Sequence, residues 1–242
     1  LVLKGYIVLM ITMMMRVFSM ELMGELGVTN VILAFGLLGM ILGSLEAMRE
    51  YHVKRMLAYS SVAQIGYIFM GLGLGTTAGV VASCFHILVH ACCKPLLFCC
   101  AGRLSAVSDH HKSLAMLRGS AYRDLLAGVG FTVGALSMIG IPLFGGFVSK
   151  LYFANASLLS SGRTALILLV IAASTVLNAL YYVPALISIW SRTGQEEGCS
   201  APSAAKDPSF STAAVCLILA VLALGIFYEP VVSIIESGIR LM

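Results

Sequence analysis

Three ionisable side chains recur at one spacing inside an apolar run: His86, His90 and Lys94. The stretch reads Cys84-Phe-His-Ile-Leu-Val-His-Ala-Cys-Cys-Lys-Pro-Leu-Leu-Phe98. Steps of four keep side chains on one slowly drifting stripe of an α-helix. The run is long and apolar enough to cross a bilayer, so the stripe is expected inside the membrane. Ionisable groups there are costly and usually mark an ion or proton path. The chemistry these types offer is proton exchange. Histidine gains and loses a proton near its unperturbed pKa of about 6.5. Lysine joins it where burial or a neighbouring cation makes the charged form costly. Each step rises about 6 Å, a gap that bridging water can span.

The elements that must position this stripe are set by composition. Hydrophobic residues make up 60% of the chain and charged residues 11%. Soluble domains sit at about 45–50% and about 25%. A polytopic membrane protein of about six to eight helices is expected. The net charge of +4 lies mostly in loops and speaks for membrane topology, not for nucleic-acid binding. The seven cysteines include the adjacent pairs Cys92-Cys93 and Cys99-Cys100 but no CxxC. They read as small packing residues, so no metal, flavin or iron–sulfur cofactor is expected.

Seven apolar segments follow one another: 1–18, 28–47, 53–74, 76–101, 125–159, 165–190 and 212–235. A polar stretch separates the fourth and fifth, and 192–210 reads as a flexible, cytoplasmic linker. Loop charge alternates. Arg49, Lys54 and Arg55 lie in one loop, Arg103, Lys112, Arg118 and Arg123 in another, and Arg192 and Lys206 in a third. The opposite loops hold Glu21, Glu25 and a lone Arg163. The basic loops are expected on the cytoplasmic side, with the chain starting inside and ending outside. This requires the fifth segment, too long for one straight crossing, to cross once as an interrupted span. Gly140-Ile-Pro-Leu-Phe-Gly-Gly146 supplies the interruption, and Lys150 follows within about one turn. Broken helices are tolerated at membrane depth where they line protein or a wet cavity, and their half-helix ends often build ion sites.

Three ordered motifs resemble the antiporter-like membrane subunits shared by respiratory complex I, multisubunit cation/proton antiporters and membrane-bound hydrogenases. They are Lys54-Arg-Met-Leu-Ala-Tyr-Ser-Ser-Val-Ala-Gln-Ile-Gly-Tyr67, His86-x3-His90-Ala-x2-Lys94-x2-Leu-Phe98, and Gly140-Ile-Pro-x2-Gly-Gly-Phe-x-Ser-Lys150. The resemblance covers essentially the whole chain. It implies a fourteen-helix fold containing two inverted five-helix repeats, each with one broken helix and a half-channel. Residues 28–192 would be the complete second repeat, 1–20 the last helix of the first, and 210–236 the extra C-terminal helix, within one membrane domain spanning 1–242. The rest of the first repeat, with its glutamate–lysine pair, is not in this chain. It is either truncated or supplied by another chain. Two positions depart from the family pattern: His52 replaces an acidic residue, and Leu143 replaces a second proline.

By resemblance, protons pass through Lys4, Lys54, His86, His90, Lys94 and Lys150. Lys54 connects from the cytoplasmic side, the stripe relays, Lys150 forms the exit, and Lys4 links half-channels. The implied function is proton translocation in a prokaryotic cell membrane, within a redox-driven complex of the NADH:quinone, ferredoxin or hydrogenase type. The implied partners are the lipid bilayer, other membrane subunits, and protons or Na+. A subunit of a Na+/H+ antiporter and a non-conducting structural subunit are the alternatives. Taken singly, each residue also admits a plainer reading. Lys54 and Lys4 suit interfacial anchors, Lys150 a snorkelling side chain, and either histidine a satisfied core residue. Tyr181, Tyr182 and Trp190 read as packing or interface-belt residues.

Overall fold

The computed structural model describes residues 2–18, 20–160, 162–191 and 207–240, with the side chains of 2–4 and 20 excepted. Of the linker expected at 192–210, residues 192–206 lie outside the described residues, and 208–210 belong to the helix that follows. The helices, in chain order, are α1 Val2–Val17, α2 Met20–Glu25, α3 Val28–Arg49, α4 Val53–Gly73 and α5 Thr77–Ala106. After a 3₁₀ turn at Leu114–Leu117 come α6 Ser120–Arg123, α7 Leu125–Ile139, α8 Gly145–Leu158, α9 Thr164–Trp190, α10 Pro208–Ile226 and α11 Tyr228–Arg240. Among the described residues the only β pairing is an isolated bridge between His52 and Ser113. The protein is an all-α, multi-pass membrane protein. Among the described residues five helices (α3, α4, α5, α9 and α10) are each long and apolar enough to span a bilayer, and α1 and α7 are shorter apolar helices.

Local chemistry sets the boundaries. Thr76 caps α5 by accepting from Gly79 N at 3.1 Å, and Asp124 caps α7 by accepting from Ala127 N at 3.0 Å. Side-chain hydroxyls and carboxylates thus satisfy donors that a helix start leaves open. The fifth segment breaks where Pro142 predicts. Gly140, at φ 94, ends α7, with Gly140 N bonding Ser137 O and Ile141 N bonding Leu136 O, both at 3.1 Å. This is a glycine-terminated Schellman stop with proline just beyond it. Leu143, the departure from the family pattern, sits at φ 85, a conformation that proline's ring forbids.

The final segment corrects the single C-terminal helix expected at 210–236. It is two helices, parted at Phe227. Pro230 explains the break: it cannot donate to the carbonyl of Ile226, where α10 stops, but fits the first turn of α11. The apolar run of α10 passes directly into α11, which carries Glu229, Glu236 and Arg240 around one buried residue, Val232.

α5 is the axis. It runs for 30 residues, about 45 Å, and is buried among α4, α7, α8 and α10. Its apolar side meets the largest core, built from Phe85, Leu96, Leu97, Phe131 and Tyr182. α3 and α4 approach to backbone contact. A Cβ on Gly66 would lie 2.6 Å from Met40 N and 2.7 Å from the Gly36 carbonyl. Small residues let membrane helices touch in this way. That contact locks α4 against α3 and turns its remaining face, with Ser60, Gln64 and Tyr67, toward α5.

Candidate functional site: a buried row of lysines and histidines

Lys94, His90 and His86 line one face of α5, and Lys150 joins them from α8. All are sealed: the lysines are 5% and 7% exposed and both histidines 1%. Snorkelling is therefore not what these lysines do. The helices that enclose them, α4, α5, α7, α8 and α9, contain no Asp or Glu. Charge in this row is met by dipoles.

Lys94 shows how. Its Nζ donates to Leu57 O at 2.9 Å, Ser60 Oγ at 2.5 Å and Tyr182 OH at 3.3 Å. Ser60 and Tyr182 also bond each other at 2.8 Å. Backbone and hydroxyl oxygens from α4 and α9 thus form a cradle for an ammonium. Hydroxyls can reverse from acceptor to donor, so the cradle also suits a neutral amine. Tyr182 is fully buried in the largest core, so of the two expectations for it packing holds and the interface belt does not, and its hydroxyl adds a contact to Lys94.

The histidine rings lie parallel, 6.2 Å between centroids. His86 Nδ1 bonds Ser149 Oγ at 2.9 Å, and Ser149 donates its own hydroxyl to Gly146 O at 2.9 Å. Both bonds hold together only when Nδ1 carries hydrogen, which makes Nε2 the position that gains or loses a proton. Tyr67 and Phe153 pack on the same ring, each 5.5 Å away.

Lys150 completes the broken helix. A helix end leaves carbonyls open and carries partial negative charge. Lys150 Nζ donates to the last carbonyl of α7, Ile139 O, at 2.6 Å, and Asn178 Nδ2 takes the preceding one, Met138 O, at 3.3 Å. Nζ also donates to Thr175 Oγ1 at 3.1 Å and stands 5.6 Å from the centre of the Tyr67 ring, a cation–π distance. The stem passes under Gly140, where a Cβ would come within 2.9 Å of Lys150 Cδ. The interruption of the span is what places this ammonium.

Of the other two expected residues, Lys54 stands apart. Lys54 is exposed on the first turn of α4, with its Nζ beside Gly102 of α5, at the end that carries the basic loops. It is outside the buried row. Lys4 lies on α1, but its side chain is outside the described residues. The expected row missed Ser60, Tyr182, Ser149, Thr175 and Asn178. A signal was present in the sequence: Ser174, Thr175, Asn178, Tyr181 and Tyr182 fall at helical spacing along one face of an otherwise apolar α9.

Residues 3–177 match the family model for the transmembrane part of NADH:quinone oxidoreductase and Mrp antiporters. The NADH-quinone oxidoreductase subunit N of Salinibacter ruber is 33% identical over 208 residues, covering 83% of this chain and 41% of that protein. Among solved structures, a chain of the membrane-bound sulfane sulfur reductase, an archaeal respiratory membrane complex, superposes with a TM-score of 0.79 at 25% identity, covering 91% of this chain and 43% of that one. A chain of the Mrp complex from Dietzia sp. DQ12-45-1b gives a TM-score of 0.76 at 25% identity, over 87% and 46%. The chain thus spans less than half the length of these relatives. A buried Lys–His row beside a broken helix, carried on this fold and matched over most of its length, places the chain in the NADH:quinone oxidoreductase/Mrp antiporter transmembrane family.

Proposed function

We propose that this chain forms a proton-translocating part of a complex I-like, redox-driven membrane assembly. The observation that carries the reading is the row itself. Two lysines and two histidines are sealed in helices free of carboxylates, and the two ammonium groups donate to carbonyl and hydroxyl oxygens, with an aromatic face beside Lys150. Such a lining suits H+ better than Na+. A bare cation would sit beside two fixed ammonium groups and be repelled, whereas a proton is carried by those groups themselves.

In this scheme Lys54 receives protons at the basic, cytoplasmic end. Lys94, His90 and His86 relay them along α5. Lys150 releases them toward the opposite side, and Lys4 on α1 connects to a neighbouring half-channel. Helices α3 to α9 serve as the repeat unit (28–192), with α1 before it and α10 after it. The first residues are cytoplasmic and the last external. The remaining helices of the path and the redox subunits are the partners.

Lys94→Ala and Lys150→Ala, each made in the assembled complex, test the reading. Each should abolish most proton uptake by energised vesicles while the complex still assembles and retains its redox subunits. Unchanged pumping in both variants contradicts the assigned path. Proton movement that requires Na+ and persists without redox partners would select the antiporter instead.

A further inference from the structure

Between the two lysine cradles stands a group that the relay leaves unused. Gln64 is fully buried on α4, and neither atom of its side-chain amide has a hydrogen-bond partner among the described residues. Buried amides without a protein partner are rare, and ordered water is their usual complement. Its position is set by helical spacing. Ser60, Gln64 and Tyr67 fall within about 60° of one face of α4, separated by rises of about 6 and 4.5 Å. Ser60 touches Lys94, and Tyr67 presents its ring to Lys150 and His86. Gln64 therefore faces the same seam, between the two ammonium groups.

We propose that Gln64 is a positioning residue that holds ordered water linking the Lys94 cradle to the Lys150 cradle. The amide suits water better than an ion. It offers both donor and acceptor, as water does, whereas a cation would use only Oε1 and would face both lysines. Water held on both sides of one amide completes the route between the lysines in series with the histidines, carrying the proton from Lys94 past Gln64 and Tyr67 to Lys150. No bond other than O–H or N–H forms or breaks, and the proton lost by one lysine is gained by the next.

The proposal rests on the proton-conducting reading above, so the test includes that reading's own variants. In the assembled complex, Gln64→Met keeps the volume and removes hydrogen bonding, while Gln64→Asn keeps the amide. Proton uptake, its solvent deuterium isotope effect and assembly are measured beside Lys94→Ala and Lys150→Ala. Gln64→Met should assemble normally, lose about tenfold in uptake, as expected for one lost hydrogen-bonded link, and show a larger isotope effect. Gln64→Asn should recover most of the rate. A map of the wild-type complex should place water within hydrogen-bond distance of the amide, and that of Gln64→Met should not. If Gln64→Met pumps normally while both lysine variants are silent, or if Met and Asn lose equally, the inference is overturned and the lysine path stands. If the lysine variants also pump normally, it is the path that fails.

Discussion

At the scale of single residues, hydroxyl groups decide how a buried amine is held. Tyr182 OH is the longest of the three contacts to Lys94 Nζ, yet it also bonds Ser60, the shortest. Tyr182→Phe should therefore cost about 1 kcal/mol of stabilisation of the charged amine, the net worth of one ordinary hydrogen bond. Proton uptake should fall about five- to tenfold, less than for Lys94→Ala, with assembly retained. Ser60→Ala removes both the short contact and the partner of Tyr182, so its loss should be the larger. Equal rates in Tyr182→Phe and wild type would remove the tyrosine from the cradle. The ionisable members of this site were legible because Lys and His are too costly inside an apolar run to stand there idly. The hydroxyls were not. Serines and threonines in membrane helices commonly bond back to their own turn, as Ser44, Ser61 and Thr132 do here. One hydroxyl therefore says little, and only the stripe on α9 distinguishes a lining residue from a self-satisfied one. Lys54 differs from these in place: its motif gives it the cytoplasmic end of the path, and it stands exposed on the first turn of α4, outside the buried row.

At the scale of elements, the interruption between α7 and α8 turns two ordinary half-helices into a site. The two halves meet closely: a Cβ on Gly146 would lie 1.7 Å from the carbonyl oxygen of Ser137. Alanine is better than glycine in a helix by about 1 kcal/mol, but a backbone clash of this size outweighs it and costs about 1–3 kcal/mol or more. Gly146→Ala should push α8 from the end of α7 and draw Lys150 away from Ile139 O. The thermal unfolding midpoint of the purified complex should fall, and pumping should fall with it. Gly238→Ala, on α11 with no neighbour within 4 Å, is the matched control and should be neutral or slightly stabilising. A Gly146→Ala protein as stable and active as the control would refute the close approach. The break was readable because Pro142 and the flanking glycines punctuate an apolar run. The break at Phe227 was not, because Leu-Gly-Ile-Phe-Tyr continues the hydrophobic pattern across it and only Pro230, two residues into α11, marks the change.

At the scale of the whole molecule, the sidedness of every helix reduces to one choice. The ends of α3, α4, α5, α7, α9 and α10 that bear basic loops are joined to one another. Val53 N bonds Lys112 O at 3.0 Å and Leu114 N bonds Tyr51 O at 2.9 Å, tying the turn before α4 to the loop after α5. Gly119 N reaches Ser188 O of α9 at 3.4 Å, Arg103 pairs with Asp124 at 2.9 Å, and Arg103 also covers the Phe210 ring of α10 at 5.5 Å. At the other end Arg163 Nη1 bonds Asn30 Oδ1 at 2.5 Å. Arg49, Lys54, Arg55, Arg103, Lys112, Arg118 and Arg123 thus share one end, and Arg163 lies at the other. The proposed orientation puts the crowded end, with its excess of Lys and Arg, in the cytoplasm. His110 and Gly162 mark the two ends, each exposed and in a turn with positive φ, so a short protease site can be inserted at either without entering a helix. In sealed inside-out vesicles, protease added outside should cut the site at His110 and spare the one at Gly162. In right-side-out vesicles the pattern should reverse. The opposite pattern would invert the bundle and, with it, the direction in which Lys150 discharges. Cutting at both sites in both preparations would mean that the bundle does not separate two compartments, and no row of buried lysines could then carry protons across it.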